Sequence, residues 1–178
     1  MNEEVKVLFD EGQIITRAKE IAGQINKDYE GREICLLCVL KGSVFFTCEL
    51  AKHITVPVKL GFMSVSSYGD RMTSSGAVTI NSDADVDVKD KHVIVVEDII
   101  DTGKTLSFLM HMLAKRNPAS LKLCTLLDKP DRRVTEMTVD YIGFKVPDRF
   151  LVGFGLDYAQ KYRNLPYIGE LVFKEDRQ

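Results

Sequence analysis

Three acidic residues interleaved with two isoleucines form the part of the sequence best suited to chemistry. Glu97 and Asp98 are adjacent, Ile99 and Ile100 follow them, and Asp101 begins a small polar turn. Adjacent carboxylates suit a vicinal diol and a Mg²⁺ ion, because Mg²⁺ takes oxygen ligands and is usually bound through one or two carboxylates. The pattern therefore predicts a site for a ligand that carries a diol and a metal ion.

The elements on either side must place these acids at the edge of a sheet. Val93 to Val96 is an apolar run without polar alternation, which is typical of a strand buried on both faces of a parallel sheet. Leu106 to Ala114 has apolar residues at three- and four-residue spacing, which predicts a helix. Open α/β sheets bind ligands at the carboxyl ends of their strands, so the acids and the turn are expected in the binding region.

The turn between strand and helix has the features of an anion site. Backbone N–H groups and the positive end of the helix dipole favour a phosphate there, and Gly103 lets the backbone approach it closely. Thr102 and Thr105 add hydroxyl groups. Acids beside a phosphate-binding turn predict a sugar phosphate as the ligand.

A nucleoside-triphosphate P-loop is the alternative, because Gly103-Lys104-Thr105 matches the end of that motif. The motif also needs a glycine five positions before its second glycine. Asp98 stands at that position, and its carboxylate would repel a β-phosphate. The sequence therefore favours the sugar phosphate.

The run from Val95 to Thr105, V-V-E-D-I-I-D-T-G-K-T, resembles the phosphoribosyl-pyrophosphate signature of type I phosphoribosyltransferases, and within them the hypoxanthine and hypoxanthine-guanine enzymes of purine salvage. An ordinary strand and helix joined by a polar turn would explain the valines and the glycine but not the three acids. The resemblance extends over roughly Val7 to Phe173. It implies transfer of a 5-phosphoribosyl group from 5-phosphoribosyl 1-pyrophosphate to a 6-oxopurine, either hypoxanthine or guanine. The products would be IMP or GMP and pyrophosphate.

The resemblance also implies roles for the residues of the signature. Glu97 and Asp98 would bind the ribose diol and a Mg²⁺ cofactor, and Asp101 would accept a proton from the purine ring. The 5-phosphate would be held by the end of the strand and the turn, that is by Ile100, Asp101, Thr102, Gly103, Lys104 and Thr105. Lys41 and Gly42, in an L-K-G turn, would hold the pyrophosphate, although the sequence alone fits a solvated turn equally well.

Further roles are implied in the second half of the chain. Lys129 would donate to the 6-oxo group, Phe150 would stack on the purine, and Leu151 would line the base site. Asp157 would reach a second Mg²⁺, and Arg163 would bind pyrophosphate. Without the resemblance, Lys129 would be interpreted as a snorkelling surface lysine, Phe150 as a core residue and Arg163 as a surface residue.

A segment rich in small polar residues, Ser64 to Gly76, is predicted to be a flexible lid. It contains five serines, one threonine and two glycines, so it cannot bury enough apolar surface to hold itself rigid. Its position resembles the mobile flap of the family, and Ser67 and Tyr68 match the serine-tyrosine pair that covers the substrate. A plain surface loop is the alternative.

The predicted fold is a doubly wound α/β core of five mainly parallel strands, in one domain of residues 1–178. A small hood is expected from both chain ends, approximately residues 1–12 and 147–178. The apolar patterns predict helices over Gly12–Tyr29 and from Ser43 to about His53, besides the one after the turn. They predict further strands over Ile34–Leu40, Val58–Met63, Val78–Ile80, Leu121–Leu127 and Val139–Phe144.

Composition excludes some classes of function. The chain of 178 residues is 45% hydrophobic and 28% charged, which is ordinary for a globular domain. Its net charge of −2 argues against a nucleic-acid partner, which would require a basic surplus. With neither a signal peptide nor a transmembrane run, the expected location is the cytoplasm, without a membrane partner.

The four cysteines allow a metal site to be considered, because Cys35 and Cys38 have C-x-x-C spacing. Both lie within the apolar strand Ile34–Leu40, and no second cysteine or histidine pair follows at ligand spacing. Buried reduced thiols are therefore the expected state.

Two other functions remain open at this stage. A non-catalytic sensor of phosphoribosyl pyrophosphate would be expected to carry a DNA-binding extension, for which 178 residues leave no room. A pyrimidine or adenine phosphoribosyltransferase would keep Glu97 to Thr105 but lack the pairing of Lys129 with Phe150. Preference among hypoxanthine, guanine and xanthine stays open, and the family resemblance implies a homodimer or homotetramer.

Overall fold

The computed structural model describes residues 2–67 and 78–174. Within these ranges three α-helices alternate with strands, and a short 3₁₀ turn covers Pro130–Arg132. The helices are α1 (Glu11–Asp28), α2 (Val44–Ala51) and α3 (Lys104–Ala114). The strands are β1 (Asn2–Phe9), β2 (Ile34–Leu40), β3 (Val58–Ser67), β4 (Val78–Ser82), β5 (His92–Ile100), β6 (Ser120–Asp128), β7 (Tyr141–Lys145), β8 (Leu151–Val152) and β9 (Ile168–Lys174).

The central sheet has the strand order β4-β3-β2-β5-β6-β7. The five strands β3, β2, β5, β6 and β7 pair in parallel, and β4 pairs with β3 at one edge in antiparallel orientation. The predicted α/β class with a five-stranded parallel core is therefore confirmed. The acids at the end of β5 lie on a central strand, as expected.

Strand β3 is longer than predicted. It continues through Ser67, and its last residues, Ser64 to Ser67, pair with β4. These residues were predicted to belong to the lid because the segment is rich in small polar residues, but pairing with the antiparallel strand β4 satisfies their backbone. Of the predicted lid, residues 68–76, including Tyr68, lie outside the described residues.

The central strands β2 and β5 are buried on both faces over most of their length, as expected in a doubly wound sheet. Leu36, Ile94 and Val96 pack in the cluster that contains the buried face of α1. Leu37 and Val95 point to the opposite side and pack in the cluster that contains α3. This alternation follows from the two-residue period of a strand, and it fixes the direction in which each strand end emerges.

Helix α1 begins at Glu11 because a capping box precedes it. The Asp10 carboxylate accepts a hydrogen bond from the Gln13 backbone (2.8 Å), and the Gln13 side chain accepts one from the Asp10 backbone (2.9 Å). Both bonds satisfy N–H groups that the first turn leaves free. The predicted helix of Gly12 to Tyr29 is thus shifted by one residue at each end.

The chain ends form a separate three-stranded antiparallel sheet of order β1-β9-β8. Strand β1 pairs along its length with β9, and β9 pairs with β8. This is the predicted hood from both chain ends. None of the helices in the described part of the chain is long and apolar enough to cross a membrane.

The cysteines are free thiols. Cys35 and Cys38 are both buried, but only Cys35 belongs to the core cluster that contains α3, while Cys38 shares a hydrogen bond with Ser43 (3.2 Å). Burial raises the pKa of both thiols and that of Cys124. These three thiols are therefore protonated and poor metal ligands, which supports the interpretation as buried thiols, whereas Cys48 is exposed.

Candidate functional site

A cavity of about 350 Å³ opens at the carboxyl ends of β2 and β5. Its walls come from the turn after β2, the end of β5, the first turn of α3 and the hood segment after β8. Ten residues predicted from the sequence line it: Gly42, Glu97, Asp98, Ile100, Asp101, Thr102, Gly103, Thr105, Asp157 and Arg163.

The paired acids Glu97 and Asp98 are partly buried at the floor of this cavity. One Glu97 carboxylate oxygen, Oε2, is buried without a hydrogen-bond partner. Burial, and then the charge of neighbouring Asp98, raise the pKa of Glu97 well above its usual value. Burial also raises the pKa of Asp98, although its Oδ1 accepts a hydrogen bond from the Ile99 backbone (2.7 Å).

This donor set fits a divalent cation, because a positive charge would relieve both the crowding of the acids and the orphaned oxygen. Among the described residues, no three His, Cys, Asp or Glu side chains form a group that could hold a metal by themselves. Mg²⁺ commonly binds to one or two carboxylates and completes its shell with substrate oxygens and water. The pair is therefore suited to a metal that arrives with its ligand.

The turn after β5 depends on Gly103, which caps α3 with a φ of +81°. A side chain would be strained in this left-handed conformation, and an added Cβ would lie 2.9 Å from Cδ of Arg133. The Gly103 carbonyl accepts from the Ser107 backbone (2.8 Å) as the helix begins. The backbone is thus held in the form that exposes the amino terminus of α3 to the cavity. Lys104 is exposed and does not line the cavity.

A segment that sequence reasoning missed supports this turn from outside. The backbone N–H groups of Val134 and Thr135 both donate to the Thr102 carbonyl (3.1 and 3.3 Å). Arg132 Nε donates to Asp101 Oδ1 (2.8 Å). The only sequence signal was Pro130, which pre-forms the short 3₁₀ turn that directs the chain back toward Asp101.

The turn after β2 is enclosed between the acids and the hood. A Cβ added at Gly42 would lie 1.6 Å from Asp98 Oδ2, and one added at Gly155 would lie 1.9 Å from the Gly42 carbonyl oxygen. Only glycines can pack this closely. Lys41, which follows a cis peptide bond from Leu40, is exposed and outside the cavity lining.

Asp157 and Arg163 face each other on the hood side. Arg163 Nη2 lies 2.7 Å from Asp157 Oδ1, and the other Asp157 oxygen accepts from the Gln160 backbone (2.8 Å). Arg163 Nη1 donates to the Gly155 carbonyl (2.7 Å), while its Nε is buried without a partner. Arg163, which is predicted to bind pyrophosphate, and Asp157, which is predicted to bind the second Mg²⁺, are thus paired with each other.

The three residues predicted to bind the base, Lys129, Phe150 and Leu151, are not part of the cavity lining. Lys129 is only 8% exposed, so it is not a snorkelling surface lysine. Its ammonium donates to the Arg149 carbonyl (2.7 Å) and to Asp148 Oδ1 (3.3 Å). Its backbone N–H donates to the Ile100 carbonyl (3.0 Å), which holds it next to the end of β5.

Phe150 and Leu151 differ in their surroundings. Phe150 is 49% exposed and lies edge-on to Tyr158, with ring centroids 5.5 Å apart. The ring is thus exposed, unlike the core position expected from sequence alone, and it follows Arg149, whose carbonyl accepts from Lys129. Leu151 is buried and pairs in β8 with Glu170. Ser67 ends β3, and its side chain, like the whole of Tyr68, lies outside the described residues.

Comparison with known proteins gives consistent matches over the chain. The protein-family model of the phosphoribosyl transferase domain matches residues 4–159 of this chain. A hypoxanthine-guanine phosphoribosyltransferase of Streptococcus thermophilus strain CNRZ 1066 is 50% identical over 171 residues, covering 96% of this chain and 94% of that protein. A hypoxanthine phosphoribosyltransferase of Haemophilus influenzae is 48% identical over 174 residues, covering 96% and 97%.

Solved structures agree with this. The crystal structure of a hypoxanthine-guanine phosphoribosyltransferase from Bacillus anthracis has a TM-score of 0.89 at 48% identity, covering 96% of this chain and 100% of that one. A hypoxanthine phosphoribosyltransferase structure from Staphylococcus aureus has a TM-score of 0.90 at 43% identity, covering 94% and 91%.

Proposed function

The chain belongs to the phosphoribosyl transferase domain family, and from that premise we propose that it transfers the 5-phosphoribosyl group of 5-phosphoribosyl 1-pyrophosphate to hypoxanthine and guanine. The products are IMP or GMP and pyrophosphate, so the enzyme serves purine salvage. The observation that carries this proposal is the acid pair Glu97–Asp98 beside an anion-binding turn, with buried Lys129 hydrogen-bonded to the same strand end.

The donor binds along the cavity floor. Its 5-phosphate is held by the backbone of Asp101 to Thr105, where free N–H groups and the helix dipole favour an anion. The hydroxyl groups of Thr102 and Thr105 add donors. The ribose diol then lies over Glu97 and Asp98, whose oxygens accept hydrogen bonds from hydroxyl groups.

Mg²⁺ is the proposed cofactor, held by Glu97 and Asp98 together with donor oxygens. A second ion would be held by Asp157 once Arg163 moves to the substrate. When bound, Mg²⁺ neutralises the charge that develops on the leaving pyrophosphate.

The protein supplies further donors to the pyrophosphate. The turn at Lys41 and Gly42 presents backbone N–H groups, and Arg163 binds phosphate oxygens bidentately. The buried, unpartnered Nε of Arg163 supports this role, because an unsatisfied guanidinium N–H is stabilised by an incoming acceptor.

The bond to pyrophosphate breaks ahead of attack by the purine, so positive charge develops on the ribose. Asp101 accepts the proton that the purine ring loses when its imidazole nitrogen bonds to the ribose. A lone aspartate is a weak base, so proximity contributes most of its effect.

The base lies between Lys129 and Phe150. The Lys129 ammonium donates to the 6-oxo group, and Phe150 stacks on the ring, as aromatic side chains do with any base. Leu151 and the backbone near Asp157 line the remaining edge. We further propose that Ser67 and Tyr68 belong to a lid over the pyrophosphate, and that the enzyme is a homodimer or homotetramer.

A single assay tests the reaction: Mg²⁺-dependent release of pyrophosphate with each base in turn. Hypoxanthine and guanine should support release, and adenine, uracil and orotate should not. Activity with adenine or a pyrimidine alone would favour another transferase of the family. Binding of the donor without turnover for any base would favour a non-catalytic sensor.

A further inference from the structure

A chain of alternating charges connects the proposed proton acceptor with the proposed base-binding lysine. Asp101 Oδ1 accepts from Arg132 Nε (2.8 Å), and Arg132 Nη1 donates to Asp148 Oδ2 (3.3 Å). The other Asp148 oxygen, Oδ1, accepts from Lys129 Nζ (3.3 Å). Each carboxylate oxygen in the middle of the chain therefore serves one cation.

The backbone fixes Arg132 in place to make these contacts. Lys129 caps the 3₁₀ turn, in which the Arg132 N–H donates to the Lys129 carbonyl (3.2 Å). Two residues later the chain is bound to the Thr102 carbonyl by Val134 (3.1 Å). Arg132 thus projects from a segment that is attached both to the base-binding lysine and to the phosphate-binding turn.

The balance of charge in this series of ion pairs affects both of its ends, Lys129 and Asp101. Two cations face two carboxylates, so loss of the Arg132 charge would leave Asp148 to interact with Lys129 alone. The ammonium would then be drawn more strongly to Asp148 and would be less available to a ligand oxygen. Asp101 would at the same time lose the contact that orients its carboxylate.

We propose that Arg132 is a positioning residue, which orients Asp101 toward the purine nitrogen and, through Asp148, keeps Lys129 available for the 6-oxo group. This inference rests on the proposed function and adds to it a residue that touches neither substrate. A planar guanidinium suits the task, because its fork can hold two carboxylates in fixed directions, whereas an ammonium acts as a point charge.

The test compares Arg132→Gln, Asp148→Asn and the double variant with Arg116→Gln. Arg116 makes an ion pair of the same 2.8 Å length with Asp83, away from the cavity lining, so it controls for loss of an exposed pair. Steady-state pyrophosphate release is measured with hypoxanthine varied at saturating donor, and then with the donor varied. Melting temperatures are recorded for all variants.

Arg132→Gln should lower kcat and raise the KM for hypoxanthine, reducing kcat/KM roughly three- to tenfold, the scale of one or two exposed charge contacts. The donor KM should stay within about twofold, which a general loosening of the fold would not allow. The double variant should be no less active than the poorer single variant, because residues in one network of ion pairs do not contribute additively. Arg132→Lys should recover part of the loss, and it serves as the second variant if Arg132→Gln does not fold.

Three results would overturn the proposal: kcat/KM for hypoxanthine equal to that of Arg116→Gln, a loss confined to the donor KM, or fully additive losses in the double variant. Failure of the wild-type enzyme to release pyrophosphate with any purine would instead contradict the proposed function. The two failures are therefore distinguishable.

Discussion

The Glu97 carboxyl, which is proposed to bind the donor and Mg²⁺, destabilises the free protein. Its pKa is raised well above the usual value by burial and by Asp98. Below the pKa of the unfolded chain both states hold the proton. Above it the unfolded chain releases its proton while the folded protein retains it, so stability falls as the pH rises toward the folded pKa.

Glu97→Gln should therefore raise the melting temperature near neutral pH, because the amide neither takes up a proton nor buries a charge when the chain folds, and it should lower activity. A gain of 1 kcal/mol corresponds to roughly 2–4 °C in a domain of this size. The gain should shrink in acid, where the wild-type carboxyl is protonated in both states. Calorimetry at several pH values measures this, with the exposed Glu30→Gln as the control. A lower melting temperature for Glu97→Gln at neutral pH would show that the carboxylate stabilises the free protein.

Lys129 is the residue at which base selectivity is expected to be decided. Lys129→Met should weaken use of 6-oxopurines by about 1.5–3 kcal/mol, the scale of a charged hydrogen bond, while adenine gains relative to them. The ratio of kcat/KM for hypoxanthine to that for adenine measures this, and exposed Lys115→Met is the matched control. An equal loss for every base would assign Lys129 a structural role.

Among the helices and strands, the sequence predicted those whose apolar residues follow a regular pattern. Strand β2 runs from Ile34 to Leu40 as expected, because an unbroken apolar run has few alternatives, and α1 was displaced by only one residue. The hood was predicted from the resemblance, but the strand character of its ends was not, since β1 and β9 depend on each other over a separation of more than 150 residues. The end of β3 at Ser67 was missed for the same reason, because β4 supplies the pairing.

The site shows the same division. The acids and the turn at the end of β5 could be predicted because they are contiguous in sequence. The supports of the turn could not, because Arg132 and Val134 lie in a polar segment whose composition signals only a loop. The close contact of Gly42 with Gly155 was likewise invisible, since it joins two turns that are distant in sequence.

That contact predicts a large effect for Gly155→Ala. Gly155 has a φ of +101°, and its Cβ would meet the Gly42 carbonyl, so the variant should lose more than about 1 kcal/mol of unfolding free energy and bind the donor more weakly. Gly23→Ala is the control, because a Cβ there meets nothing within 4 Å in helix α1. It should gain roughly 1 kcal/mol. Chemical denaturation measures the unfolding free energy of both variants. The same change in both would mean that the turns at Gly42 and Gly155 move apart at little cost.

For the whole molecule, electrostatics must be local. The net charge is −2, and the cavity lining includes four acids, Glu97, Asp98, Asp101 and Asp157, but a single arginine, Arg163, among its described residues. A polyphosphate would be repelled by such a lining unless it arrived with a cation. The fold thus agrees with the proposed metal-dependent reaction, since the core sheet presents the acids and the hood segment forms the opposite wall of the cavity.

The central claim is that transfer takes place at the end of β5, with Asp101 as proton acceptor. The most direct measurement is turnover and donor affinity of Asp101→Asn, since the amide keeps the shape of the turn. Turnover with hypoxanthine should fall by about 10²–10⁴-fold, while the dissociation constant of the donor changes by no more than a few-fold. Turnover within a few-fold of the wild type would contradict the claim and remove Asp101 from the reaction.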